Sequence, residues 1–167
     1  MLNAYGEPSV LAPYGPAVLR VALAIVFIAH GGQKLFGIWG GPGLDITAAF
    51  FAQMNLQPAM PLALAVGVVE FVGGLLLLAG ALTFVTSLLL TLDMVIAVIK
   101  VHLAAGFFLN WNHIPGREHG FEYNLLLIAA LLCLMLTGPG ALSFDARRAS
   151  HAAAAAAGRA RLRAGKV

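Results

Sequence analysis

The chain has 167 residues, of which 60% are hydrophobic and only 10% charged, with a mean hydropathy of +0.90. A soluble domain carries roughly 45–50% apolar and 25% charged residues, so this composition excludes a water-soluble catalytic fold and indicates an integral membrane protein. The net charge is +3, and the single cysteine, Cys133, excludes an intramolecular disulfide relay.

Residues 1–16, with Pro8, Pro13 and Pro16, read as an irregular lead-in, and Pro16 suits the first turn of a helix. Four apolar stretches follow, at about 17–36, 60–80, 83–104 and 121–138, each close to the roughly 20 residues a bilayer-spanning helix needs. The first is read as a retained helix rather than a secretory signal. No positive charge precedes Arg20, and no small-residue cleavage site follows before the polar His30 to Lys34 stretch.

After the first span, Gly40, Gly41, Pro42 and Gly43 break the backbone, and Asp45-Ile46-Thr47 opens a short amphipathic helix suited to the interface plane. The second span is rich in small residues, with Gly67, Gly73, Gly74 and Gly80. These allow close helix approach where lipid offers no hydrophobic drive, and Glu70 sits among them. In the third span Thr86, Asp93 and Lys100 recur every seven residues and share a face, with His102 almost opposite Lys100.

The loop GFFLNWNHIPGREHG places Phe107, Phe108 and Trp111 where aromatic side chains favour the membrane interface. Glu122-Tyr123-Asn124 opens the fourth span, and Gly138-Pro139-Gly140 closes it. The tail HAAAAAAGRARLRAGKV is low-complexity and basic. It reads as a solvated segment near anionic headgroups, with no nucleic-acid motif.

These elements predict an all-α integral membrane protein: a four-helix up-and-down bundle over 17–145, with a short interfacial helix after the first span and a basic tail over 146–167. The tail cations Arg147, Arg148, Arg159, Arg161, Arg163 and Lys166 place both termini in the cytoplasm and the loops 37–59 and 105–120 outside.

In such a bundle the depths of distant polar residues converge. His30 falls roughly 9 Å below the outer end of its helix, and Glu70 and Asp93 roughly 15 Å from a helix end. Arg20, His30 and Lys34 share an arc of about 80°. Lys34, Lys100 and His30 are then balanced by Glu70, Asp93 and Glu122, as charges in lipid require, while Arg20 is expected to snorkel to cytoplasmic headgroups.

Several functions fit such a cluster. It can hold a quinone headgroup, with His30 or Lys34 donating to a carbonyl oxygen and Glu70 or Glu122 handling protons. Haem ligation by His30 and His102 is disfavoured, because His102 points away from the Lys100 face. The carboxylates can also form a proton or ion path, or the cluster can fix helix order and register alone. His113, His119 and His151 read as solvated, with no metal-type spacing, and Cys133 as a small core residue.

The stretch R-x9-HGGQKLFG, the segment VGVVEFVGGLLLLAGALT, the Lys-Val-His end of the third span with its Gly-Phe-Phe loop, GFEYNLLL and GPGALSFD together resemble the DoxX family of small four-helix membrane proteins. The resemblance covers about residues 17–145. It implies a bacterial cytoplasmic (inner) membrane subunit linked to redox chemistry, the family taking its name from a subunit of a thiosulfate:quinone oxidoreductase.

Carried over by position, the resemblance marks His30, Lys34, Glu70, Lys100, His102 and Glu122. Catalytic roles are expected for His30, Lys34, Glu70 and Glu122, and cofactor contacts for His30, Lys34, Asp93, Lys100 and His102. The expected cofactor is a quinone, with no metal. The expected partners are the lipid bilayer with either partner subunits or further copies of the chain. Two rival readings stay open: a non-catalytic anchor or assembly subunit, and a proton or small-solute carrier.

Overall fold

The computed structural model describes residues 10–164, and every regular element among them is helical. The first nine residues of the expected lead-in lie outside the described residues. Helix α1, Tyr14–Phe36, starts slightly before the expected position, with Pro13 as its N-cap and Pro16 in its first turn. It ends at Gly37, whose φ of 66° supplies the left-handed C-cap, with Lys34 in the last turn where the helix dipole favours a cation.

Helix α2, Gly43–Gln53, is the short helix expected after the first span, and it packs on α1 and α3 with Thr47 and Ala48 buried. Helix α3, Ala59–Ala79, runs from Pro58 to a left-handed Gly80. A short turn leads to helix α4, Thr83–Ala97, which widens into a π turn over Val98–His102 and tightens into a 3-10 turn over Leu103–Ala105. Helix α5 is Glu122–Thr137, and helix α6 is Phe144–Ala164.

Among the described residues three helices are long and apolar enough to cross a bilayer: Tyr14–Phe36, Ala59–Ala79 and the continuous Thr83–Ala105, of 23, 21 and 23 residues. The fourth apolar helix, α5, has 16 residues. The packing closes on itself, α1 against α3, α3 against α4, α4 against α5 and α5 against α1.

Glycine sets the tightest of these contacts. A side chain at Gly31 would collide with the backbone of Phe71, and a Cβ at Gly74 would lie 2.7 Å from the Ile28 nitrogen. A Cβ at Gly67 would meet the Leu35 side chain instead. These pairs step in opposite directions along the two helices, so α1 and α3 are antiparallel. Leu23, Phe27, Leu77, Leu90, Met94, Leu127, Leu131 and Leu134 fill the centre, while Val18, Ile25, Leu64, Leu92, Leu126 and Leu136 face outward. An apolar exterior is what lipid contact requires.

One expectation is corrected at the end where α1 begins. Arg20 does not reach out to headgroups: it is 2% exposed. Its Nη1 donates to the carbonyls of Leu77 (3.1 Å) and Leu78 (3.3 Å), and its Nη2 to those of Ala141 (3.4 Å) and Leu142 (3.1 Å). The last carbonyls of a helix have no partner within it. Those of α3 and of the α5–α6 link lie within reach of the guanidinium, which gives the cation a buried alternative to water.

Asp145 acts in the opposite sense at the same end, its carboxylate accepting the Leu82 N–H (3.0 Å) and the Thr83 N–H (2.8 Å) at the start of α4. Partial burial pushes its carboxyl up, but the hydrogen bonds from Thr83 and Leu82, with Arg148 nearby, hold it below the ordinary aspartate value. Ser143 Oγ accepts the Ala146 N–H (3.1 Å) and so caps α6. The tail read as low-complexity is therefore helical to Ala164, as its alanine run favours.

Candidate functional site

The close approach of α1 and α3 through Gly31, Gly67 and Gly74 lets a lysine near the end of one helix reach an acid in the middle of the other. Lys34 Nζ donates to Glu70 Oε2 at 2.5 Å; the Glu70 side chain is 3% exposed and that of Lys34 25%. Asp93 on α4 joins them, facing Lys34 and with its carboxyl in hydrogen-bonding reach of the Glu70 carboxyl, so that its buried Oδ2 meets another acid rather than an N–H or hydroxyl donor. Asp93 stands about 15 Å along the helix from Thr83, which agrees with the depth read from the sequence.

The charge count of this centre defines its chemistry. One ammonium faces two carboxyl groups, so a single ion pair leaves one carboxyl that a proton can neutralise. Such a site can bind, hold and release a proton between two oxygens without carrying net charge into lipid.

His30 lies one turn before Lys34, on the edge of the same arc. The buried residues of α1, including Ala17, Arg20, Ala24, Phe27 and Gly31, centre on the Arg20 direction. His30 is about 80° away from it and Lys34 about 40°. Lys34 therefore turns inward to Glu70, while His30 is exposed on the outer surface.

The remaining predicted residues gather elsewhere. Lys100 is exposed within the π turn. His102 Nδ1 donates to the carbonyl of His119 (2.9 Å), and Glu122 Oε1 accepts the Trp111 Nε1–H (3.0 Å). These contacts belong to the loop between α4 and α5, which is organised by Asn110. Its amide donates to the carbonyls of Ile114 and Arg117 and accepts the Ile114 N–H, each at 2.9 Å. The structure thus divides the expected constellation: Lys34, Glu70 and Asp93 meet in the interior, His30 and Lys100 are exposed, and His102 and Glu122 are tied into the loop through His119 and Trp111.

A groove of about 370 Å³, lined by Val101, Ala104, Ala105, Gly116, Arg117 and Glu118, lies beside this loop rather than over the ion pair. His113, His119 and His151 are exposed, and so is Cys133, on the outer face of α5 rather than in the core as its sequence position suggested.

Sequence reasoning passed over several polar groups that the structure buries. Asn124 Nδ2 contacts Met94 Sδ at 3.6 Å between α5 and α4, and Thr83 and Ser87 line the interior of α4. The available signal was the run of hydroxyl residues Thr83, Thr86, Ser87 and Thr91 on an otherwise apolar helix.

Comparison with known proteins places these features in a family. The DoxX family model matches residues 15–103, which contain Lys34, Glu70 and Asp93. The chain is 34% identical to the uncharacterized membrane protein Rv3486 of Mycobacterium tuberculosis, over 94% of this chain and 91% of the relative. It is 31% identical to a Bacillus subtilis protein named "Putative oxidoreductase CatD", over 78% and 84%. It is 32% identical to the inner membrane protein YqjF of Escherichia coli, over 81% and 92%. No solved structure matches the chain significantly.

Proposed function

This chain belongs to the DoxX family of membrane proteins, and on that premise we propose that it binds a quinone or similar redox-active headgroup beside Lys34 and Glu70, as a subunit of a membrane oxidoreductase. In this reading α5 makes a fourth crossing, the four spans run up and down, and both termini lie in the cytoplasm. The observation that carries the reading is the Lys34–Glu70 ion pair, in mid-bundle, with the Asp93 carboxyl beside it.

The donor set suits a group with carbonyl oxygens. Lys34 keeps a quarter of its side chain exposed and His30 is exposed one turn away, so both can donate to a headgroup arriving laterally from lipid. When bound, a quinone supplies an acceptor of electrons and protons. The protein's own part is then electrostatic: Lys34 and His30 stabilise negative charge developing on an oxygen, and Glu70 delivers a proton that it takes over from the neighbouring Asp93 carboxyl. Glu122, held by Trp111, is the second proton donor, with Lys100 and His102 near the outer approach. The name of the Bacillus subtilis relative supports redox chemistry.

Quinone titration of the purified protein tests the proposal, alongside His30→Ala and Glu70→Gln. Weaker binding in both variants is expected, and equal affinity in all three removes the site. The anchor reading draws on a different observation, the exposed Phe108 and Trp111 of the α4–α5 loop. It predicts instead that the protein binds no quinone and that substituting those two residues abolishes copurification of a partner.

A further inference from the structure

We infer that the groove between the end of α4 and the α4–α5 loop is a phospholipid site, selective for a headgroup that carries both a phosphate and a primary ammonium, the phosphoethanolamine class. Its two walls differ in character. One is the last stretch of the Thr83–Ala105 span, to which Val101, Ala104 and Ala105 contribute small apolar side chains. The other is Gly116-Arg117-Glu118, which brings one cation and one anion to the same opening. At about 370 Å³, the groove falls within the roughly 300–1,000 Å³ of sites that accept small molecules.

The charged wall is held by its backbone and free at its side chains. Asn110 Nδ2 donates to the Arg117 carbonyl at 2.9 Å, and the Arg117 N–H donates to the Ile114 carbonyl at 3.2 Å. On the far side of Glu118, His119 accepts twice: its carbonyl from His102 Nδ1 at 2.9 Å and its Nδ1 from the Asn110 N–H at 3.1 Å. The first of these ties the charged wall to the π turn of α4, which supplies Val101 to the other. Arg117 and Glu118 are exposed, and among the described residues the one ion pair is Lys34 with Glu70, so neither charge is neutralised within the protein. Both flanks of the wall are fixed before a ligand arrives, which lowers the ordering cost of binding one.

The surroundings point to lipid as the occupant. Phe107, Phe108, Trp111 and Ile114 are exposed around the loop, an aromatic and apolar fringe of the kind found where a spanning helix leaves hydrocarbon. A groove at that level, with its apolar wall on the span and its charges on the loop, matches a lipid in order from acyl chain to polar head.

The two charges then select the head. A guanidinium such as that of Arg117 donates in paired geometry to a phosphate, and the Glu118 carboxylate accepts from an ammonium that carries N–H donors. A quaternary trimethylammonium has no N–H to give and loses that second contact. A glycerol head brings no positive charge and leaves the carboxylate beside a phosphate that repels it. Lys100 is exposed on the same π turn, so a preference for anionic heads is the alternative that the measurement has to separate. Nothing in this site depends on the quinone reading, whose ion pair joins α1 to α3.

The test is native mass spectrometry of the full chain in detergent micelles, titrated with dioleoyl phosphatidylethanolamine, phosphatidylcholine and phosphatidylglycerol, each alone and in competition. Phosphatidylethanolamine is expected to be retained about tenfold more tightly than phosphatidylcholine, the size of one charge-assisted hydrogen bond. Glu118→Ala is expected to erase that preference while leaving phosphatidylcholine binding unchanged, and Arg117→Gln to weaken both lipids. Ala104→Phe, which fills the apolar wall, is expected to lower the binding of all three at unchanged helix content by circular dichroism. Glycerophosphoethanolamine, the same head without acyl chains, is expected not to displace the lipid at equal concentration. Equal retention of the ethanolamine and choline heads, tighter retention of the glycerol head, an unchanged preference in Glu118→Ala, unchanged binding in Ala104→Phe, or displacement by the chain-free head overturns the inference.

Discussion

Replacing Arg20 by Met is the sharpest test of how the α6 end of the fold is held. The guanidinium makes four hydrogen bonds to carbonyls, of 3.1, 3.3, 3.4 and 3.1 Å. Hydrogen bonds to charged groups contribute about 1.5–3 kcal/mol each, but two of these are long and not all of the carbonyls are orphaned by the change. Leu77 O still accepts the Gly80 N–H at 3.0 Å. Relief of the desolvation of a buried cation offsets part of the loss, so the net destabilisation is about 3–4 kcal/mol, near the low end of the range for breaking a buried charged contact.

The assay is reversible unfolding of the purified protein in mixed micelles, titrated with sodium dodecyl sulfate and followed by circular dichroism. Arg20→Lys is expected to recover about half of the loss, because an ammonium donates from one point and cannot span carbonyls on both α3 and the α5–α6 link. A stability for Arg20→Met within about 1 kcal/mol of the parent, the size of a surface ion pair, would refute the clamp.

Other outcomes follow from the same contacts. Gly74→Val should destabilise by about 1–3 kcal/mol through overpacking, since its Cβ meets the Ile28 backbone at 2.7 Å; Gly15→Ala, with open space around it, should be neutral or stabilising by up to about 1 kcal/mol in the same micelle titration. Lys34→Met and Glu70→Gln should each destabilise by roughly 3 kcal/mol, and the double variant by less than the sum; additive losses in a double-mutant cycle would mean the pair is not coupled. Because the Asp145 carboxyl is held below its unfolded value of about 3.9, its contribution is fully present above pH 4 and fades as the pH falls through the lower folded value. Asp145→Asn should therefore flatten the acid limb of a stability-versus-pH curve, and an unchanged limb would contradict the cap.

Three of the four expected spans were legible in the sequence because bilayer thickness fixes how long an apolar helix must be, and the short α2 because the Gly-Gly-Pro-Gly break isolates it. The meeting of Lys34, Glu70 and Asp93 was legible as well, since helical rise and angle convert sequence position into depth and face. What could not be read was the fate of Lys100, His102 and Glu122. Their directions depend on how the α4–α5 loop folds around Asn110, and helical periodicity does not extend into a loop.

Arg20 was misread for a related reason. Snorkelling is the default for a cation near a helix end, and only the spatial neighbourhood of Gly80 and the Gly138-Pro139-Gly140 link provides the carbonyls that draw it inward. The helicity of α6 had a signal in its alanine run that low complexity masked.

The short turn at Gly80 also constrains how the protein is made. Helices α3 and α4, joined by the short turn at Gly80, form one hairpin, and that hairpin carries both Glu70 and Asp93. The lysine that pairs with them, Lys34, is on α1, which precedes both in the chain. Chain order is thus also an order of neutralisation, since the counter-charge is made before the two acids it balances.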